Sequence, residues 1–297
     1  MKKIPYNTYA KRIAFNPPAM DEFKNDYTLV DMHVHTKYSH DSITNINFLL
    51  KRAAKLKIGF SVTDHLRAEG AVEASKQKKV MIIPGIEIAA LEDKEILFYF
   101  YSVKDLEEFY EKNVKNNITI TRTPRSAFGR TFTSVKSKLS IRELLDRAED
   151  YNCLKSVPHP YYSGVRNSHS FFRKQKNLAL LNKIDAIEVL NASSRRYMNK
   201  RALKWAVKVK KSFTAGSDAH VLTELGSAVV ASRADNIEDF LKSIRKKKNF
   251  VIGREIRLPA VFKEGWKSMK SKREHGWQKL SGHSSTEPEL FIEEDED

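Results

Sequence analysis

The chain has 297 residues, 41% of them hydrophobic and 30% charged, which suits a soluble α/β protein with a sizeable core and excludes collagenous or wholly disordered classes. The single cysteine, Cys153, excludes an intramolecular disulfide and any cysteine-built zinc site, so a metal here must be held by His, Asp or Glu, and the expected compartment is the cytoplasm. The formal net charge is +16, and since residues 287–297 carry seven acids and no base, residues 1–286 carry +23, which points to a polyanionic partner.

No apolar stretch follows Lys2 and Lys3, and the run Ile96–Tyr101 is too short to span a bilayer, so neither a signal peptide nor a membrane span is expected. From Tyr27 onward β-rich runs alternate with amphipathic helices. Thr28–Met32 reads as a strand, Asn45–Lys57 as a helix with Ile46, Leu49, Leu50, Ala53 and Ala54 on one face, and Ile58–Thr63 as a strand. Val80–Pro84 and Glu95–Tyr101 follow as strands, then a helix near Lys104–Lys115, and Ser140-Ile141-Arg142-Glu143 is a capping box that opens another helix. Strands Leu154–Val157 and Ala186–Leu190, helix Arg195–Lys210, strands Ser212–Ala215 and Ala228–Ala231, and helix Ile237–Lys247 capped by Asn236 complete the series. Such alternation predicts parallel strands joined by helical crossovers, in a barrel or an open doubly wound sheet.

The expected organisation is an N-terminal extension over 1–26, one catalytic domain over 27–255, and a C-terminal extension over 256–297 ending in an acidic, disordered tail. Thr121–Lys138 lacks an apolar period and reads as a long basic loop, spanning 119–139, inside the domain. The basic residues are clumped: no acid occurs in 119–139, 151–184 or 191–211.

Metal-capable residues sit where the predicted strands end. His33 and His35, His65, His159 and His220 all lie at or just past a strand, as does Glu87 in Gly85-Ile86-Glu87. In parallel α/β folds these ends converge on one face, where sites are assembled from many loops. His33-X-His35 on an extended strand turns both imidazoles to one side, and Asp218-X-His220 has the same spacing. Together they form a mixed nitrogen and oxygen shell suited to Zn2+, Mn2+ or Fe2+.

The segments 31–42 (Asp-Met-His-Val-His-Thr-Lys-Tyr-Ser-His-Asp-Ser), 61–65 (Ser-Val-Thr-Asp-His), 84–88 (Pro-Gly-Ile-Glu-Ile), 158–160 (Pro-His-Pro), 187–191 (Ile-Glu-Val-Leu-Asn) and 215–220 (Ala-Gly-Ser-Asp-Ala-His) resemble, in order, the polymerase-and-histidinol-phosphatase (PHP) superfamily of phosphoesterases. The resemblance implies a distorted (β/α)7 barrel that binds two or three divalent ions and activates a water to attack phosphorus. It implies His33, His35, Glu87 and Asp218 as ligands of a first ion, Glu87 and His159 as part of a second, and Asp41, His65 and His220 as ligands of a third. Asp41 is chosen over His40 because its offset from His33 suits relatives whose first motif ends in Asp-Ser. Asp218, His159 and Arg166 form the expected catalytic set. Asp64 is expected to orient His65 or to stand behind the ligands without touching the ions, and Asn191 to support the ligands from behind. Arg166, Arg195 and Arg196 could clamp phosphate oxygens, or solvate loop and helix faces. Tyr161, Tyr162, Phe171 and Phe172, interleaved with Arg166 and Arg173, could stack on bases, or pack in the core. His169, His275 and His283 fall outside every motif and are expected on the surface.

One feature departs from the family. Many members carry a His about ten residues past the motif Glu, and here that region reads Glu95-Ile96-Leu97-Phe98-Tyr99. Either Glu92 or Glu95 takes its place, or the site holds fewer ions. The expected activity is hydrolysis of phosphate esters in nucleic acids or nucleotides. The alternatives are a phosphomonoesterase for a small metabolite or phosphotyrosine, and a non-catalytic nucleic-acid-binding or polymerase-associated module. No membrane partner is expected.

Overall fold

The computed structural model describes residues 13–15, 23–125, 130–162 and 164–256. Ten strands form one sheet in the order β1 (Ile13–Phe15), β12 (Phe250–Gly253), β11 (Ala228–Ser232), β2 (Thr28–Val34), β3 (Gly59–Val62), β4 (Ile82–Ala89), β5 (Glu95–Phe100), β8 (Cys153–Val157), β9 (Ala186–Asn191) and β10 (Ser212–Gly216). The open edge at β10 nearly closes back on β2. Just past β10, Ala219 bridges Val34 in parallel, the His35 amide donates to the Ala219 carbonyl at 2.9 Å, and the Asp218 amide donates to the His33 carbonyl at 2.8 Å. The ring therefore has seven strands, β2-β3-β4-β5-β8-β9-β10, while β11, β12 and β1 branch from the lower half of β2.

Six of the seven ring strands run in one direction, and β5 runs against both neighbours. Strand β2 is buried from Leu29 to Val34, and β3, β5, β8 and β9 are nearly or wholly buried, as strands covered on both faces must be. Helices α1 (Ile46–Leu56), α4 (Ile141–Arg147), α6 (Arg196–Lys208) and α7 (Ile237–Arg245) lie where the apolar period places them, each burying one face. The Ser140–Glu143 capping box is formed in both directions, Asn45 and Asn236 cap α1 and α7, and Lys57 in the left-handed region ends α1. The predicted helix near Lys104–Lys115 is α3 (Val103–Phe109), continued by a π turn over Tyr110–Val114 and a 3-10 turn over Lys115–Asn117.

Three expectations need correction. The stretch expected as a basic loop is a hairpin of β6 (Ile118–Arg125) and β7 (Arg130–Ser137), a separate two-stranded sheet. Its β-branched residues, Ile118, Thr119, Ile120, Thr121, Thr123 and Thr131 among them, favour extended backbone without an apolar stripe, so the periodicity test misses it. Residues 1–26 are not wholly outside the domain, since β1 adds a parallel strand to β12 and Phe23 is buried in the core. Strand β12 and the short helix α2 (Glu69–Ser75) were not anticipated, and both are four to seven residues long with little periodic signal. The acidic tail lies outside the described residues. Among the described residues no helix is long and apolar enough to cross a membrane.

Candidate metal centre

The seven ring strands deliver their side chains to one mouth. His33 and His35 come from the end of β2, His65 from the turn after β3, Glu87 from within β4, His159 from the turn after β8, and Asp218 and His220 from the turn after β10. Asp41 reaches in from the loop between β2 and α1. All are buried or nearly so, except His220, which is part-exposed.

The inward nitrogens of His33 and His35 lie 3.2 Å apart, as the His-X-His spacing on β2 predicts. Asp218 Oδ1 is 3.2 Å from His35 Nε2 and 3.5 Å from His33 Nε2. Asp218 and His220 do not share a strand face, because β10 ends at Gly216 and Asp218 has φ 56°. His220 instead turns to Asp41, at 3.1 Å, and Asp41 is also 3.3 Å from His65. Glu87 is the hub: its Oε2 lies 3.3 Å from His33, 3.5 Å from His35 and 3.2 Å from His65, and its Oε1 lies 3.3 Å from His159.

These contacts resolve into four overlapping donor groups, each with all its donor atoms within 4.8 Å of one another: His35, Asp41, His65 and His220; His33, His35 and Asp218; His33, Glu87 and His159; and His65, Glu87 and Glu95. Glu95 opens β5, the one strand of the seven in the ring that begins at the mouth rather than ending there. Its Oε2 is 3.7 Å from His159 and its Oε1 3.6 Å from Arg166. Glu92, the other substitute considered, accepts from the Ile141 amide at 3.0 Å at the start of α4.

Several residues that hold this geometry were missed by sequence reasoning. Glu188 of β9 is buried behind His33, with Oε1 3.0 Å from His33 Nδ1, and its Oε2 accepts from the His159 amide at 2.7 Å and from Asn191 Nδ2 at 3.0 Å. A carboxylate on the outer nitrogen of a histidine fixes which nitrogen faces inward. The motif Ile-Glu-Val-Leu-Asn contains Glu188, and its spacing of three from Asn191 was the available signal. Asn191 also donates to Asp218 Oδ2 at 3.3 Å. Asp31 accepts from the Ser217 amide at 2.8 Å, the Ser217 hydroxyl at 2.5 Å and the Gly226 amide at 2.8 Å, tying β2 to the loop that carries Asp218. Gly216 permits this closure, since a Cβ there would stand 2.2 Å from the His33 Cβ.

Other expected roles change. The Asp64 carboxylate is bonded by the Thr36 amide and hydroxyl, both at 2.6 Å, so it pins the turn after His35 rather than orienting His65. Arg196 is clamped on Glu255 through Nε at 2.6 and 2.7 Å, which removes it as a phosphate clamp; Arg195 stands exposed at the start of α6. Phe172 is fully buried core, whereas Tyr162 is exposed with its ring 5.5 Å from that of His159. His169 is part-buried and stacked on Tyr161 at 4.4 Å, not free on the surface; His275 and His283 lie outside the described residues.

The donor set fits divalent cations. Buried polar atoms left without a hydrogen-bond partner include His35 Nδ1, Glu87 Oε1, Glu95 Oε2 and His159 Nδ1, four in one cluster, where native interiors tolerate few. His159 at φ 25° and Asp218 at φ 56° hold left-handed backbone, strain that accumulates at functional sites. Burial and the neighbouring Glu87 push the Glu95 carboxyl up, since two buried carboxylates side by side resist a second charge. Burial and its histidine neighbours press His35 down to about 3, so it stays neutral. Burial opposes the charge on His33, His65, His159 and His220, but facing carboxylates outweigh it and raise His65 to about 10 and His159 and His220 to about 9.

That pattern has a definite sign. A histidine whose folded pKa exceeds its unfolded value of about 6.5 adds stability that is complete below that pH and lost as pH rises through the folded value. The metal-stripped protein should therefore lose stability between about pH 6.5 and 10, and metal loading at pH 7.5 should expel these protons, because a ligating imidazole must be neutral. Adding Zn2+ to stripped protein in weak buffer should acidify the solution; loading without proton release would contradict the arrangement.

A nearly closed seven-stranded barrel with a His, Asp and Glu cluster at its mouth defines a class of metal-binding α/β proteins. The chain belongs to the PHP domain family: the model described as PHP domain matches residues 31–194, and that described as PHP-associated matches residues 196–249. An uncharacterized protein of Methanocaldococcus jannaschii, MJ0417, is 27% identical over 210 residues, covering 70% of this chain and 72% of that one. Among solved structures, PsfC from Pseudomonas syringae superposes with a TM-score of 0.56 at 17% identity, covering 84% of this chain and 99% of that one. The lesion-specific endonuclease PfuEndoQ from Pyrococcus furiosus superposes with a TM-score of 0.57 at 20% identity, covering 76% of this chain and 57% of that one. At these identities the likeness to solved structures establishes the fold.

Proposed function

We propose that the protein is a metal-dependent phosphoesterase acting on phosphate esters of nucleic acid or nucleotides, within a catalytic unit running from β1 to β12. The observation that carries this reading is the convergence of four overlapping donor groups on the mouth of a PHP barrel, with four of their buried atoms lacking a hydrogen-bond partner. His33, His35, Glu87 and Asp218 would hold one ion, Glu87 and His159 with Glu95 a second, and Asp41, His65 and His220 a third. When bound, such cations bring the pKa of water towards neutrality and offset charge on phosphoryl and leaving oxygens.

The chain's own residues account for the rest. Glu188 and Asn191 fix His33 and Asp218, while Asp31 and Asp64 lock the backbone on either side of His33 and His35. Arg166, with its guanidinium 3.6 Å from Glu95, stands at the edge of the cluster where a phosphate oxygen would displace part of that pairing. His159 turns its Nε2 to Glu87 at 3.3 Å and would act through the ion the two hold, with its ring 5.5 Å from that of the exposed Tyr162. An endonuclease Q structure contains a duplex with an abasic lesion at its active site, which supports a nucleic-acid substrate for a related barrel.

The test is a hydrolysis screen of the Mn2+-loaded full chain over single-stranded DNA, RNA, nucleotides, bis(p-nitrophenyl) phosphate and sugar or tyrosine phosphomonoesters. Turnover of the diesters, abolished by EDTA and restored by Mn2+, is the expected result. Turnover of monoesters alone would move the protein to the small-metabolite class, and none at all would leave a binding module.

A further inference from the structure

Two of the acid-free stretches of sequence, 151–184 and 191–211, meet in space. Arg173 and Lys174 at the end of α5 (Ser168–Phe172) and Arg201 on α6 line one recess of about 370 Å3, completed by Asn167, His169 and Ser170. No acid lines it. Elsewhere bases are paired, Lys183 with Asp146 and Glu149, for example, and Arg196 with Glu255. Among the described residues no carboxylate forms an ion pair with Arg173, Lys174 or Arg201, and all three are exposed.

The recess is also ordered. The Arg201 guanidinium sits 4.5 Å over the Tyr161 ring, and Tyr161 stacks on His169 at 4.4 Å. Burial and then Arg173, Arg201 and Lys208 depress His169 to about 4, so it is neutral near pH 7 and the field around it is positive. Three like charges held together without a counter-ion repel one another, and an anion relieves that repulsion.

The position of the recess says which anion. The His169 amide donates to the Pro160 carbonyl at 3.0 Å, and Pro160 directly follows His159. The short turn that carries the exposed Tyr162 ring and a histidine of the metal cluster is thus bonded directly to one wall of the recess. A monoester has one phosphate and would engage the cluster alone. A strand has a phosphate at each nucleotide and can fill both places, with a base against Tyr162.

We propose that this recess binds a backbone phosphate of a single-stranded nucleic acid whose scissile phosphate lies at the metal cluster. The idea rests on the phosphoesterase reading above and narrows its substrate to a polymer. Arg173 and Lys174 contact the phosphate oxygens, Arg201 supplies a fixed guanidinium, and the Asn167 side-chain amide donates a hydrogen bond.

The test is binding of a fluorescein-labelled single-stranded oligothymidylate to the full chain, followed by anisotropy in EDTA across a NaCl series. Against wild type, the triple variant R173Q/K174Q/R201Q should bind at least tenfold more weakly at low salt. Its slope of log affinity against log salt should be shallower by about 0.7, since the recess neutralises one backbone phosphate and each neutralised single-strand phosphate contributes about 0.7. K174Q alone should bind with an affinity between those of wild type and the triple variant. A control with the same loss of charge on exposed sites elsewhere, K51Q/K55Q/K78Q, should change little. Equal binding by wild type and the triple variant, an equal loss in the control, or a loss seen only with anionic vesicles or a phosphopeptide overturns the proposal. Turnover of bis(p-nitrophenyl) phosphate with Mn2+, run in parallel, should be unchanged in the triple variant. If wild type lacks that turnover, the phosphoesterase reading fails, while the metal-free DNA comparison still decides the recess.

Discussion

Replacing Glu87 by Gln should leave a folded protein whose bis(p-nitrophenyl) phosphate turnover is lower by about a thousandfold, equivalent to about 4 kcal/mol of transition-state stabilisation. The side chain is buried and contacts four imidazoles within 3.5 Å, three through Oε2 and one through Oε1. Gln keeps the volume, so the barrel should not reorganise as it would around a cavity. It removes the charge and turns one acceptor into a donor facing ring nitrogens that should themselves bind cations. Burial raises the Glu87 carboxyl, but its histidine neighbours overcome this and hold it well below the usual carboxylate range, so the position is charged throughout the working pH range. Elemental analysis should find at least one ion fewer per chain in the variant. Wild-type metal content together with a wild-type rate would remove Glu87 from the centre.

How much of this was visible beforehand follows from the physics of each feature. Residues at strand ends were legible because buried parallel strands are continuous apolar runs, and a His or Asp directly after one stands out, as in Val62-Thr63-Asp64-His65 and Ala215-Gly216-Ser217-Asp218. Caps were legible because Ser140 and Asn236 act within three residues of themselves. What was hidden depends on contacts distant in sequence. Glu188 is an ordinary strand residue until β9 places it 155 positions from its partner His33. Arg196 looked like a phosphate clamp because Glu255, its partner, lies 59 residues away. Asp64 was assigned to its neighbour His65 by adjacency, yet Gly70 lets α2 pass so closely that a Cβ there would stand 2.1 Å from Asp64 Oδ2, on the side shared with Thr36. The reversed direction of β5 was likewise invisible, since strand propensity carries no sign.

That reversal sets Glu95 beside the position of the missing histidine and gives the second large expected effect. In the antiparallel pair, Leu97 lies opposite Glu87 and Glu95 opposite Ala89, on the same face two residues nearer the mouth. A residue at 97 could approach the cluster from inside the barrel, whereas Glu95 approaches from the rim, which its longer side chain allows, to 3.7 Å from His159. If Glu95 serves as the replacement ligand, Glu95→Gln should lose one ion and about ten- to a hundredfold in turnover. Glu92→Gln should keep ions and rate, only weakening its bond to the Ile141 amide as the acceptor loses its charge, at about 1 kcal/mol of stability. Leu97→Ala, at a fully buried apolar site, should cost about 2–5 kcal/mol in urea unfolding with the metal count intact. A full metal complement in Glu95→Gln would mean instead that Glu87 and His159 suffice for their ion, and that Glu95 stays at the mouth as the partner of Arg166.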